Sequence, residues 1–128
     1  MNTILFVCEH GAAKSVIAAS YFNKLAGEKK LAIRAIARGT NPDKALSPKT
    51  ITGLQTDGLT PTESVPQELS VTEVESAQYV VAYCELPEKY QSSAVIEQWD
   101  GVPPVSGDYE KARDAIVERI HRLIQNIV

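Results

Sequence analysis

The sequence is poor in residues that would staple or anchor a fold. It has 2 Cys, 1 Met and 1 Trp among 128 residues. Two cysteines cannot build a disulfide framework, and in a chain that is not exported they read as reduced thiols free for chemistry. No apolar run approaches the roughly 20 residues that a membrane-spanning helix needs. Positive charge is not in excess either. The formal net charge of -3 argues against nucleic acid and anionic membrane as partners. Internal repeats, low-complexity stretches and linkers are all missing. The first strand begins almost at Met1, with no basic stretch before it and no small-residue cleavage site after it. The expectation is a cytoplasmic protein without a signal peptide.

What is present is core-forming material. A hydrophobic content of 44% over 128 residues suffices for one core, which predicts a single domain over residues 1–128. Thr3 to Val7 is a continuous apolar run, as in a strand covered on both faces. Ser15 to Ala26 reads as a helix with Val16, Ala19, Tyr21, Phe22 and Leu25 on one broad face, and Gly27 stands where it would end. Leu31 to Ala37 is a second strand, closed by Gly39-Thr40-Asn41-Pro42. Ser47-Pro48 is an N-cap followed by a first-turn proline, opening a helix that runs to about Asp57-Gly58. Leu59 to Leu69 has two prolines and reads as loop, and Ser70-Val71-Thr72-Glu73 is a capping box. Tyr79 to Tyr83 is a third buried strand ending at Cys84, and Ala94 to Trp99 a short fourth. Asp108 to Ile127 is a long helix with Ala112, Ala115, Ile116, Ile120, Leu123 and Ile127 inward.

Strands alternating with helices imply an α/β domain, a parallel sheet with right-handed crossovers. Ligands bind such sheets beyond the carboxyl ends of the strands. Cys8 follows the first strand, Cys84 ends the third and Asp100 follows the fourth, so all three fall on one edge.

The loop Cys8-Glu9-His10-Gly11-Ala12-Ala13-Lys14-Ser15 joins the first strand to the first helix. Such a turn aims several backbone N–H groups one way and adds the positive end of the helix dipole, a geometry that holds a tetrahedral oxyanion. The same field stabilises a thiolate at Cys8 and makes it a nucleophile at neutral pH. Gly11 can take the positive φ of a tight cradle. Lys14 brings a cation, and the Ser15 hydroxyl can hydrogen-bond the thiolate. A nucleotide-binding loop is excluded, because the glycine positions before its Lys-Ser are here Ala13 and Cys8. Each residue also has a plainer reading. Cys8 and Cys84 can be buried structural thiols, Lys14 a solvated helix-start lysine and Ser15 an N-cap. Asp100 before Gly101 can be a turn residue, His10 a solvent-facing loop residue, His121 an exposed helix residue and Trp99 core.

These residues resemble the low-molecular-weight protein tyrosine phosphatases and the thioredoxin-coupled arsenate reductases of the same fold, whose signature is Cys-x5-Arg-Ser after an N-terminal Ile/Leu-Phe-Val strand. Leu5-Phe6-Val7-Cys8 and the spacing to Lys14-Ser15 match it. Ala37-Arg38-Gly39-Thr40 is similar to the family's Ser-Ala-Gly-Thr segment, and Val80 to Cys84 to the strand carrying the reductases' first resolving cysteine. The resemblance implies a four-stranded parallel sheet in the order 2-1-3-4, flanked by helices in three layers. It also implies a Cys8 nucleophile in a phosphate-binding loop of Glu9, His10, Gly11, Ala12, Ala13, Lys14 and Ser15. An aspartate general acid is implied at Asp100, nine positions before the aromatic Tyr109.

The departures are equally specific. Lys14 replaces the signature arginine, so a point charge stands in for a planar fork. Gly11 replaces an asparagine and Gly101 the proline after the acid. The phosphatases' tyrosine pair and the reductases' third cysteine are missing. The expected activity is phosphomonoester hydrolysis through phosphocysteine, weakened by the loss of the arginine, with no metal or cofactor. The alternatives are arsenate reduction by Cys8 and Cys84 with an external thiol reductant, and a non-catalytic oxyanion-binding or regulatory domain. The implied partners are phosphate or another tetrahedral oxyanion, a phosphoprotein and a thiol reductant.

Overall fold

The computed structural model describes residues 2–91 and 95–127. Strands β1 (Asn2–Cys8), β2 (Ile33–Gly39), β3 (Tyr79–Ala82) and β4 (Val95–Gln98) form one sheet in the order β2-β1-β3-β4. Every pairing is parallel. The expected sheet order and class are therefore those of the structure. The predicted start of the fourth strand at Ala94 lies outside the described residues.

Helices α1 (Lys14–Glu28), α2 (Pro48–Thr56) and α4 (Tyr109–Ile127) cover one face of the sheet, and α3 (Val71–Ser76) the other. The central strand explains the layering. Ile4, Leu5, Phe6 and Val7 are all fully buried, and alternation sends Ile4 and Phe6 to the larger core and Leu5 and Val7 to the smaller one. The larger core gathers Phe22 of α1 and Ile116, Ile120 and Ile124 of α4. The smaller gathers Leu69, Val74, Leu86 and Tyr90. On α4 the inward stripe is as expected, except that Ile124 is buried where Ala115 and Ile127 are only partly buried against the core. Among the described residues no helix is long and apolar enough to cross a membrane.

Element boundaries moved where local chemistry overrode composition. Helix α1 passes through Gly27 to Glu28. The chain reverses instead at Lys30, whose φ of 57° takes the left-handed position that glycine usually fills. Strand β2 starts two residues later than expected and reaches Gly39. Strand β3 stops at Ala82, although the Tyr83 N–H still donates to the Val7 carbonyl (2.8 Å). The caps are as read: Ser47 accepts from the Thr50 N–H, Pro48 opens α2, and both halves of the Ser70–Glu73 capping box form.

One polar cluster pins the helices of the larger face together. The Asp57 carboxylate, just past α2, accepts from Tyr21 of α1 (2.6 Å) and from Tyr109 (2.9 Å) and Arg113 (3.1 Å) of α4. Burial alone would raise the Asp57 pKa, but the three donors together hold it below the ordinary carboxylate range. Its contribution is thus complete above that range and fades as pH falls through the depressed value. Asp57→Asn should cost about 2–3 kcal/mol at neutral pH. In urea titrations the gap between variant and wild type should shrink below about pH 4. A gap independent of pH would remove the carboxylate from the account.

Candidate active site

Cys8 ends β1 opposite Gly39, the last residue of β2. Beyond it the loop is tied down through its carbonyls. Cys8 O accepts from Thr40 N (3.2 Å), Glu9 O from Asn41 N (2.7 Å), His10 O from Asp43 N (3.0 Å) and Ala12 O from Ser47 N (2.9 Å). In a planar trans peptide the C=O and the following N–H point in opposite directions. Carbonyls turned out towards residues 40–47 therefore turn the amides of Glu9, His10, Gly11 and Ala13 inward. Among the described residues, no N–H from Glu9 to Val16 donates to a backbone carbonyl or a side chain. Helix α1 begins here with no side-chain cap and no acidic residue in its first turn, so its positive end also faces the loop.

Two glycines allow this approach. Gly11 adopts φ 62°, and a Cβ there would lie 2.9 Å from Gly39 N. A Cβ on Gly39 would lie 2.8 Å from Gly11 N. Backbone meets backbone, so neither position has room for a side chain.

Within the loop Cys8 Sγ lies 3.0 Å from Ser15 Oγ, and Ser15 is fully buried. With a thiolate at Cys8, the Ser15 hydroxyl is the donor. Lys14 Nζ donates to Val102 O (3.0 Å). The ammonium thus latches the loop before α4 onto the cradle, with further donors left over. His10 stands at the rim, its Nδ1 3.3 Å from Asp43 Oδ1 and its Nε2 3.8 Å from Glu9 Oε2, with all three side chains more than half exposed. Cys8, Glu9, His10, Lys14 and Asp43 line a cavity of about 400 Å³ whose walls also include Ser47, Tyr83, Cys84, Pro104 and Val105.

The cavity therefore brings together Cys8, Glu9, His10, Ala12, Ala13, Lys14 and Cys84, with Ser15 behind Cys8. Burial pushes the Cys84 thiol up, the negative charges of Cys8 and Glu9 add to this, and a hydrogen bond from the Thr40 side chain pulls the other way. Asp100 is not brought there. It is exposed, its carbonyl is held by Arg119, and the next residue, Gly101, takes a φ of 80°. No turn forms at Asp100-Gly101, since the turn of this segment falls at residues 105–107, and the loop lines the Cys8 cavity with Pro104, Val105 and Ser106. Sequence reading passed over Asp43 and Tyr83. Tyr83 was legible in principle, since extending the β1–β3 register by one step sets it opposite Cys8. A larger cleft of about 590 Å³ between α2 and the start of α4 holds no cysteine. Its Asp57, Tyr109 and Arg113 already satisfy one another.

Lys14→Met should release the latch. Amide hydrogen exchange should then quicken across residues 100–107, with a global stability loss of about 1 kcal/mol. Unchanged exchange in that segment would show that Lys14 does not hold it.

The family model for low molecular weight phosphotyrosine protein phosphatases matches residues 3–127. Among solved structures, YfkJ from Bacillus subtilis superposes with a TM-score of 0.86 at 19% identity, covering 99% of this chain and 94% of that one. The low molecular weight protein tyrosine phosphatase from T. tengcongensis has the same score and identity, covering 98% and 99%. An arsenate reductase from Archaeoglobus fulgidus DSM 4304 reaches 0.79 at 24% identity, covering 95% and 98%. At such identities the likeness is one of fold. No curated protein sequence matches significantly. Since the family match takes in both the sheet and the cysteine loop, the chain belongs to the low molecular weight phosphotyrosine protein phosphatase family.

Proposed function

We propose that this chain is a cysteine-dependent phosphomonoester hydrolase acting on aryl phosphates. The observation that carries the reading is the cradle itself: a thiol at the floor of a loop whose amides point inward and find no acceptor among the described residues.

The Cys8 thiolate, with Ser15 donating to it, attacks phosphorus. The Sγ–P bond forms as the bond from phosphorus to the aryl oxygen breaks. The loop amides, the α1 N-terminus and Lys14 stabilise the charge on the equatorial oxygens. Water then attacks the phosphocysteine, releasing inorganic phosphate and restoring the thiolate. No carboxylate of the loop before α4 is among the residues lining the Cys8 cavity, so the leaving oxygen departs with little proton assistance from that loop. Acidic phenols are therefore the favoured leaving groups, and alkyl phosphates are poor substrates. Lysine in place of arginine gives up bidentate contact with two oxygens, a loss of about 2–4 kcal/mol by comparison with removing one oxyanion-hole donor.

A second reading, arsenate reduction, is favoured by one observation: Cys84 shares the cavity wall with Cys8. In it Cys84 attacks a Cys8–arsenic adduct, arsenite leaves, and the resulting disulfide is reduced by an external thiol.

The test is a set of assays on the whole chain. Cys8→Ser should abolish p-nitrophenyl phosphate hydrolysis, Asp100→Asn should leave it within about twofold, and Lys14→Arg should raise it. A wild type no faster than Cys8→Ser would leave an oxyanion-binding domain without catalysis. Loss of two free thiols on arsenate addition, abolished by Cys84→Ser, would instead select the reductase.

A further inference from the structure

Strand register places an unassigned tyrosine opposite the nucleophile. Phe6 pairs with Val81 and Val7 with Ala82, so the next step sets Tyr83 opposite Cys8. The Tyr83 N–H continues the ladder by donating to Val7 O. Alternation puts Phe6 and Cys8 on the same face as Val81 and Tyr83, and Phe6, Val81 and Tyr83 indeed pack into the larger core. The Tyr83 ring stands edge-on to Trp99, with centroids 5.8 Å apart at 87°, and Trp99 in turn leans on Phe6 at 5.7 Å. The side chain is thus fixed in place rather than free to swing.

Its hydroxyl is shut off from solvent and has no hydrogen-bond partner among the described residues, while the residue lines the same cavity as Cys8 and Lys14. Buried hydroxyls are nearly always paired, and leaving one unpaired destabilises the fold. A phenylalanine would fill the same space without that cost. The group remains a donor at neutral pH, because burial first and the negative charge of Cys8 second push its pKa well above the ordinary phenol value. Arg119 offsets this only in part.

We propose that the Tyr83 hydroxyl donates a hydrogen bond to an oxygen of the tetrahedral anion bound over Cys8. This inference rests on the oxyanion reading of the cradle and extends it. Lys14 is a point charge with one donor committed to Val102 O, so it cannot grip two oxygens as a guanidinium fork does. Tyr83 supplies a second donor from another strand. It is neutral, rigid and already desolvated, so anion binding does not have to strip water from it.

The experiment compares wild type and Tyr83→Phe by calorimetric titration with inorganic phosphate, alongside thermal melts of the free proteins. The variant should melt at or above the wild-type temperature and bind phosphate about tenfold more weakly. Equal affinity in both proteins would overturn the Tyr83 role and leave the cradle intact. A wild type that binds no phosphate would overturn the cradle and the Tyr83 role together. Should Tyr83→Phe fail to fold, wild type carrying 13Cζ-tyrosine gives the same answer. The Tyr83 resonance should move along the phosphate binding curve, and a stationary resonance would overturn the proposal.

Discussion

The active edge depends on the end of the β1–β2 ladder, where Cys8 meets Gly39. From that pair the chain on the β1 side bends into the cradle, and the chain on the β2 side runs alongside it, donating its amides to the cradle's carbonyls. The consequence is geometric. Once the carbonyls are held outward, peptide planarity leaves the following amides facing in. The bare backbones of Gly11 and Gly39 bring the two segments close enough for those bonds to form. The anion site is thus a by-product of how two parallel strands part company, and no side chain of the loop is needed to shape it.

Around this backbone feature the side chains divide their labour. Ser15 serves the sulfur and Tyr83 lies beside it, while Lys14 joins the cradle to the loop before α4. That loop closes the cavity with Pro104, Val105 and Ser106, apolar and hydroxyl groups where an acid was expected. The helical layer is fixed elsewhere, by Asp57 and its three donors. Rigidity of α1 and α4 is therefore set by contacts that do not touch the sulfur.

Much of this was legible in the sequence, because it rests on local signals. The buried run Ile4–Val7, the Ser47 cap, the Ser70–Glu73 capping box and the alternation of elements give the parallel sheet and the edge that carries Cys8, while its strand order follows from the family resemblance. Illegible were features decided by long-range packing. Asp100 matched a spacing, but spacing cannot tell whether a carboxylate reaches a cavity, and Asp100 is exposed and is not among the residues lining the Cys8 cavity. Lys14 read as an anion ligand, and its bond to Val102, 88 residues on, belongs to tertiary structure alone. Tyr83 looked like ordinary strand filling, because nothing local says that a hydroxyl will lack a partner. Gly27 read as a helix stop, yet a lysine three residues later took the strained position.

The central claim is that backbone amides, more than any side chain, hold the anion. Titration of the 15N-labelled protein with inorganic phosphate tests it most directly. The amide protons of Glu9, His10, Gly11 and Ala13 should move downfield together along one binding curve, as N–H groups without an acceptor gain a charged one. Shifts confined to the α2–α4 cleft around Asp57, with the loop amides unmoved, would contradict the account.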